Sequence, residues 1–496
     1  MAGIGIGGLG SGLDTNAIIT QLLKLETIPI NQLEGKKKVE QDKLSKIGDF
    51  KNLVKDLQSK AKQLSQLKNL LEFKVTPSEE GVASFEATGE AVEANHTLKV
   101  LSLAAVDRWT FDGVADKTTD LATGAGQVVS FTAGGTNHSI AIDQASSSLE
   151  EVAAAINTAA GDDVEATVVN TGTSTAPSWK LVLTSKESGV AGRISNISST
   201  LGGLTIDGAG PDANGVAQSA DNITVGSNAV AVIDGLQVER TTNEFNDVIT
   251  GLSLVVESAD PTKTINFSVE ADTEAVVSKV EDLVVAYNAI ISFVNAQNTY
   301  SEDDGPGGPL FGDALLRQVR TSIDDALFNV PLAVVAADTT GYSTLGLMGF
   351  EKENDGKITL DKTKLEEKIL GNLEAFADLF VDSDGFDNGG AAPNTPGYYV
   401  DTTVDSGLAA KLDRAIERMF GTSDGPSGTV LKALFDAKTQ TLNDAIGRLN
   451  DQIEDKEYYL EKYEASLIQK FAKLEDVMGG LNAKGAALQS ALVGLI

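Results

Sequence analysis

Apolar residues recur along this chain in more than one rhythm, and the rhythm changes with position. Ile18, Leu22 and Leu25 stand at i, i+4 and i+7, one face of an amphipathic helix that Asp14 or Thr15 can cap. Pro29 interrupts that helix. A second helical pattern runs from about residue 32 to 73, with Phe50, Val54, Leu57, Ala61, Leu64 and Leu71 on a seam of alternating four- and three-residue steps, broken at Lys68. That is coiled-coil spacing. The same steps taken from Leu442 reach Ile446, Leu449, Ile453, Lys456, Leu460, Tyr463, Leu467, Lys470, Leu474, Val477 and Leu481. Ten of these twelve positions are apolar over 40 residues, which as one helix is about 60 Å long. Such a seam needs a partner helix, and the N-terminal pattern is one in the same chain. Residues 479–496 are almost uncharged and end ALQSALVGLI, with no partner left to name.

Between these helical ends the period falls to two. Residues 82–110 and 222–270 alternate as in HTLKVLSL, INFSV and AVAVIDGLQVER, with Gly, Asn and Asp turns between them. Residues 111–214 are richer in Gly, Ser and Thr and hold one helical pattern, SLEEVAAAINTA, followed by strand-like VEATVVN and WKLVLTS. Helical periodicity returns near Thr273 in EAVVSKVEDLVVAYNAIISFVNAQ and continues in weaker pieces to Phe380. Helix, then strand, then helix implies discontinuous domains. The expectation is an elongated, multi-domain α+β fold: coiled-coil legs from residues 1–44 with 453–496, a helical stalk from 45–75 with 273–452, a β-rich domain from 76–110 with 215–272, and an inserted β-rich head at 111–214.

Length and charge narrow the partners. At 496 residues the chain exceeds one ordinary core, and length alone suggests about three domains. The formal charge of −32, from 71 acids against 39 bases, argues against nucleic acid or an anionic membrane surface as a partner. Residues 75–275 carry 28 acids against 8 bases, while residues 31–74 run the other way, with 11 Lys against 6 acids. There is no cysteine, hence no disulfide and no thiolate metal site. No run of 18 apolar residues exists, so membrane insertion is not expected. The start lacks the basic and continuously apolar regions of a secretory signal, so export would use another route.

Candidate chemistry is sparse. Gly3, Gly5 and Gly8, and again Gly5, Gly7 and Gly10, satisfy G-x-G-x-x-G, yet only two residues precede the first glycine and a dinucleotide site needs a strand there. Residues Gly421 to Gly425 match G-x-S-x-G, but the upstream LAAKLDRAIERMF reads as helix and a hydrolase needs a histidine base. The two histidines, His96 and His138, both fall in strand-like patterns and are expected to face solvent. Asp382 to Asp387 faintly follows a calcium loop, with Phe386 at a ligand position and no closing Glu. Neither catalysis, a cofactor nor a metal is expected.

Several segments, in order, resemble the flagellar filament-capping (FliD) family of hook-associated proteins: GIGGLGSGLDTNAIITQLLKLETIPINQLE, AVIDGLQVERTTNEFNDVITGLSLVV, PLFGDALLRQVR, STLGLMGFEKENDGKITLDKTKL and LEKYEASLIQKFAKLEDVMGGLNAKGAAL. Residues 149–190 are similar to a repeat of flagellins and hook-associated proteins, and roughly residues 111–148 and 191–220 carry no part of the resemblance. The resemblance implies a chain exported unfolded through the flagellar export apparatus that assembles as a homo-oligomeric ring, a pentamer by family likeness, at the filament tip. Its implied partners are flagellin, the hook-associated junction protein and an export chaperone. Lack of cysteine suits threading, and the opening glycines would keep the terminus flexible. The resemblance places the filament or subunit interface on the legs, at Ile18, Leu22, Leu25, Leu460, Leu467, Leu474 and Leu481; an ordinary intramolecular coiled coil accounts for the same seam. A hook–filament junction protein, a flagellin-like filament subunit and a surface adhesin using the acidic head are the alternatives.

Overall fold

The computed structural model describes residues 14–493 apart from 213–214, 302–304, 384, 386, 388, 392–406 and 421–432. The glycine-rich start and the G-x-S-x-G match at 421–425 lie outside the described residues. The chain divides into two units, Met1–Gln66 with Val277–Ile496, and Leu67–Val276. The fold is mixed α+β.

The chain starts with α1 (Thr15–Glu26) and α2 (Ile28–Leu64), then a single turn, α3 (Leu67–Leu70). Asp14 caps α1, its carboxylate accepting from the Ala17 N–H at 2.9 Å. The interruption expected at Pro29 falls at Thr27: α1 ends at Glu26, and Pro29 stands in the first turn of α2, where its missing N–H has no helical partner to lose. The helix expected to reach residue 73 stops at Leu64. The seam break at Lys68 marks the loss, and Phe73 starts a strand because Phe73, Val75 and Pro77 pair across to Ala271, Val269 and Phe267.

Unit Leu67–Val276 holds β1 (Phe73–Pro77), β2 (Ala83–Ala87), β3 (Ala94–Ser102), β4 (Val106–Thr110), β5 (Gln127–Ala133), β6 (Thr136–Ile142), α4 (Leu149–Ala160), β7 (Val164–Asn170), β8 (Trp179–Ser188), β9 (Ser195–Ser199), β10 (Asn222–Thr224), β11 (Ala229–Ile233), β12 (Leu236–Arg240), β13 (Glu244–Ile249), β14 (Leu252–Val256) and β15 (Ile265–Ala271). They form sheets of order β1-β15-β3-β11-β12 and β13-β14-β2, then β6-β5-β9 within the inserted stretch and β10-β4-β8-β7, which joins its β7 and β8 to the flanking strands β4 and β10. All ladders are antiparallel, and the alternation read from sequence is the buried face: Ile265, Phe267, Val269 and Ala271 point inward on β15. The inserted stretch shares one core with the flanking β4, with Trp109, Phe111, Leu149, Ile156, Leu181 and Leu183 all at 0% exposure. α4 opens with a reciprocal capping box between Ser148 and Glu151.

The β11–β12 hairpin turns on Asp234 and Gly235, both at positive φ (50° and 83°), the geometry for which Asp-Gly is suited. Here a sequence expectation needs correction. Neither histidine simply faces solvent: His96 Nδ1 lies 2.7 Å from Asp234 Oδ2, and His138 Nε2 lies 2.8 Å from Asp163 Oδ2. Their side chains are only 15% and 13% exposed, because each ring packs against a strand phenylalanine, Phe267 or Phe131.

The other unit continues with α5 (Thr273–Asn298, whose first turn belongs to the preceding unit), α6 (Ala314–Phe328), α7 (Leu332–Ala337), α8 (Lys362–Gly371), α9 (Leu373–Phe380), α10 (Leu408–Phe420) and α11 (Leu434–Val493). Asp382, first residue of the calcium-like stretch, holds Arg414 of α10 at 3.0 Å with only 8% of its side chain exposed, and its other oxygen accepts from the Gly385 N–H. That carboxylate is committed to an ion pair within the fold.

Candidate assembly surface on the paired terminal helices

α11 has 60 residues and is therefore about 90 Å long. α1 and α2 run antiparallel along it. Lys51 of α2 reaches Asp436 near the start of α11 at 3.0 Å, whereas Pro29, Gln32, Leu33 and Lys36 share a cleft with Gln452, Asp455 and Lys456. An aromatic cluster anchors the base of the pair: Phe50 stacks on Phe293 of α5 at 5.1 Å and lies 6.0 Å from Phe435, which stacks on Phe420 at 5.1 Å. Phe50, Val54, Leu57, Ala61 and Leu64 are all at 0% exposure. Lys60, paired with Asp282 at 2.7 Å, has its pKa raised by that bond.

Coverage fades along α11. Leu442, Ile453 and Leu467 are buried, Ile446, Leu449, Leu460 and Tyr463 are half-buried, and from there the seam opens: Leu474 is 41% exposed, Val477 54% and Leu481 58%. Every side chain described from Gly480 to Ser490 is exposed. The fading follows the antiparallel register, in which α1 is the last described helix alongside α11 and starts at Thr15; Leu467 is the last buried residue of the seam. The sequence-derived interface set therefore separates. Leu467 is buried, Ile18, Leu22 and Leu460 are half-buried, and Leu25, Leu474 and Leu481 are exposed.

Two features of this surface were not legible in the spacing. On α1 the most buried apolar side chain is Ile19 at 9%, one position from the Ile18 face. On α11, Tyr458 and Tyr459 are 62% and 50% exposed; Tyr459 stacks on Tyr463 with ring centres 6.0 Å apart, and the Lys462 ammonium lies over Tyr458 at 5.2 Å. The run YYLEKYE carried that signal as an aromatic cluster one helical turn wide. Among the described residues no group of three His, Asp or Glu is placed to hold a metal ion, and no helix is long and apolar enough to cross a membrane.

Comparison with known proteins gives the same outline. Models of the flagellar hook-associated protein 2 N-terminus and C-terminus match residues 11–107 and 226–483, so residues 108–225 lie between the matches. The A-type flagellar hook-associated protein 2 of Pseudomonas aeruginosa is 28% identical over 99% of this chain and 97% of that protein. The flagellar hook-associated protein 2 of Escherichia coli K12 is 24% identical over 98% of each. The crystal structure of the D1-D2-D3 domains of the flagellar cap protein FliD from Escherichia coli superposes with a TM-score of 0.60 at 21% identity, covering 80% of this chain and 99% of that one; it shares the fold.

Proposed function

The chain belongs to the flagellar hook-associated protein 2 family, and from that premise we propose that it caps the distal tip of a bacterial flagellar filament. There it promotes the folding and insertion of exported flagellin subunits. The observation that carries this reading is the match along nearly the whole length of a relative of that name. The role is structural, and the chain catalyses no reaction of its own. It works as a closed ring of identical copies, taken as a pentamer, after export through the flagellar apparatus in the company of a chaperone, and it meets the junction protein before the filament starts to grow.

Residues 1–44 with 453–496 are the legs of this reading. The buried Leu467 and the half-buried Ile18, Leu22 and Leu460 hold the helix pair together, and the exposed Leu25, Leu474 and Leu481 face the filament end or a neighbouring copy. An apolar face this open is costly in water and is relieved by docking. The test is deletion of the encoding gene in its host. Cells are expected to release flagellin monomer into the medium and to lack long filaments, and electron microscopy of the purified chain should show small closed rings. Normal filaments in the deletion strain would overturn the proposal.

A further inference from the structure

β7 is an edge strand of the four-stranded sheet, paired on one side only, with β8. An edge strand offers its outward N–H and C=O groups to any other strand, and a soluble protein has to block them. On β7 the blocking group is a side chain. The Asn157 amide, from the last turns of α4, donates to the Ala166 carbonyl oxygen at 2.8 Å and accepts from the Ala166 N–H at 2.8 Å. Both backbone groups of Ala166 thus point away from β8, and the alternation of an antiparallel ladder turns those of Val168 the same way.

The paired amide bonds reproduce what a neighbouring strand would make at that residue. Asn157 is itself exposed, so the amide lies on the open rim rather than under the core, while the adjacent Ile156 is at 0% exposure and fixes the helix beneath. The start of β7 is pinned as well, by Asp163 against His138. The strand is otherwise suited to pairing: VEATVVN is β-branched and carries one charge, and Val169 is 44% exposed. We infer that Asn157 is an edge guard: its amide stands in for a neighbouring strand on β7 and keeps that edge from pairing with β7 of a second copy of the chain. This goes beyond the capping role and holds whether or not the legs dock as proposed.

The test uses the full chain in three variants, Asn157→Ala, Val168→Pro and both together, measured by sedimentation velocity over a range of concentrations. Proline at 168 removes an outward N–H and leaves the ladder to β8 intact. Asn157→Ala should associate at least about tenfold more strongly than the unsubstituted chain, the double variant should return to its size distribution, and Val168→Pro alone should match it. Hydrogen exchange adds a site-specific reading. At concentrations where Asn157→Ala is unassociated, the Ala166 amide should lose protection, and on association Ala166 and Val168 should both gain it. An unchanged size distribution for a folded Asn157→Ala, association that survives Val168→Pro, or loss of cooperative melting in Asn157→Ala would each overturn the proposal, the last by making Asn157 a stability tie instead.

Discussion

The indole N–H of Trp109 donates to the carboxylate of Asp107 at 2.6 Å, and both residues have 0% exposure. The same carboxylate accepts from the backbone N–H groups of Ile194 and Gly226, each at 2.8 Å, and from the Asn222 amide at 3.2 Å. These donors come from the strand that enters the inserted stretch, from the loop before β9 and from the segment that leaves it. A buried charge is tolerated when its oxygens are filled, and here hydrogen bonds from three separate segments fill them, which makes Asp107 a clasp at the neck of the insertion.

Asp107→Asn should therefore be costly although it preserves shape. The amide nitrogen would face donors where an oxygen accepted, leaving buried N–H groups unmatched, a loss of about 3 kcal/mol. Both tryptophans, Trp109 and Trp179, lie in the unit Leu67–Val276, so fluorescence melting of the whole chain reports that unit alone. Its midpoint should fall by several degrees, and an unchanged midpoint would show that the clasp carries no stability.

Acid should loosen the same unit through Asp234. Burial works against its charge, but bonds from His96 and from the Thr97 N–H and hydroxyl outweigh that and hold the carboxyl below its usual range. A carboxyl depressed in the folded state stabilises the fold above its unfolded pKa of about 3.9 and loses that contribution as pH falls through the folded value. Asp234→Asn is the clean probe, since asparagine keeps the left-handed turn that φ 50° requires. As pH falls below about 4, the tryptophan melting midpoint of the variant should fall less steeply than that of the unsubstituted chain.

The far end of α11 should gain helix from alanine. Gly479, Gly480 and Gly485 lie within the helix, and a methyl group at any of them would meet no atom within 4 Å. Glycine there costs about 1 kcal/mol per position relative to alanine and no packing is gained in exchange. Replacing all three should raise helicity by far-ultraviolet circular dichroism without moving the tryptophan midpoint. A fall in helicity would mean that these glycines have partners in the free chain.

What could be read from the sequence was what local chemistry decides. The helical pattern SLEEVAAAINTA marked α4, the Gly, Asn and Asp turns separated the strands, and the apolar steps from Phe50 to Leu64 named a buried face. The partners across the fold were not readable. His96 and Asp234 are 138 residues apart, and Asp107 and Gly226 are 119 apart, so no local period marks either pairing. The end of α2 at Leu64 was also missed, because a seam that resumes at Leu71 looks continuous until the strand pairing of Phe73 is known. The extent of cover on α11 depends on where an antiparallel partner begins, and spacing along one helix is silent about that.

That register supplies the sharpest test of the legs. Leu467 is 7% exposed, whereas Leu474 and Leu481 are 41% and 58% exposed on the same seam. Leu467→Asp buries a carboxylate and should cost several kcal/mol, seen as loss of helicity in the free chain. Leu474→Asp with Leu481→Asp changes solvated side chains and should shift stability by no more than about 0.5 kcal/mol each, leaving the melting of the free chain as it was. If these two side chains dock the cap, the double variant should nonetheless fail to support long filaments in a deletion strain, although it is produced and secreted at the normal level. A stably produced double variant that gives filaments of ordinary length would place the docking surface elsewhere, with the exposed tyrosines at 458 and 459 the next side chains to substitute.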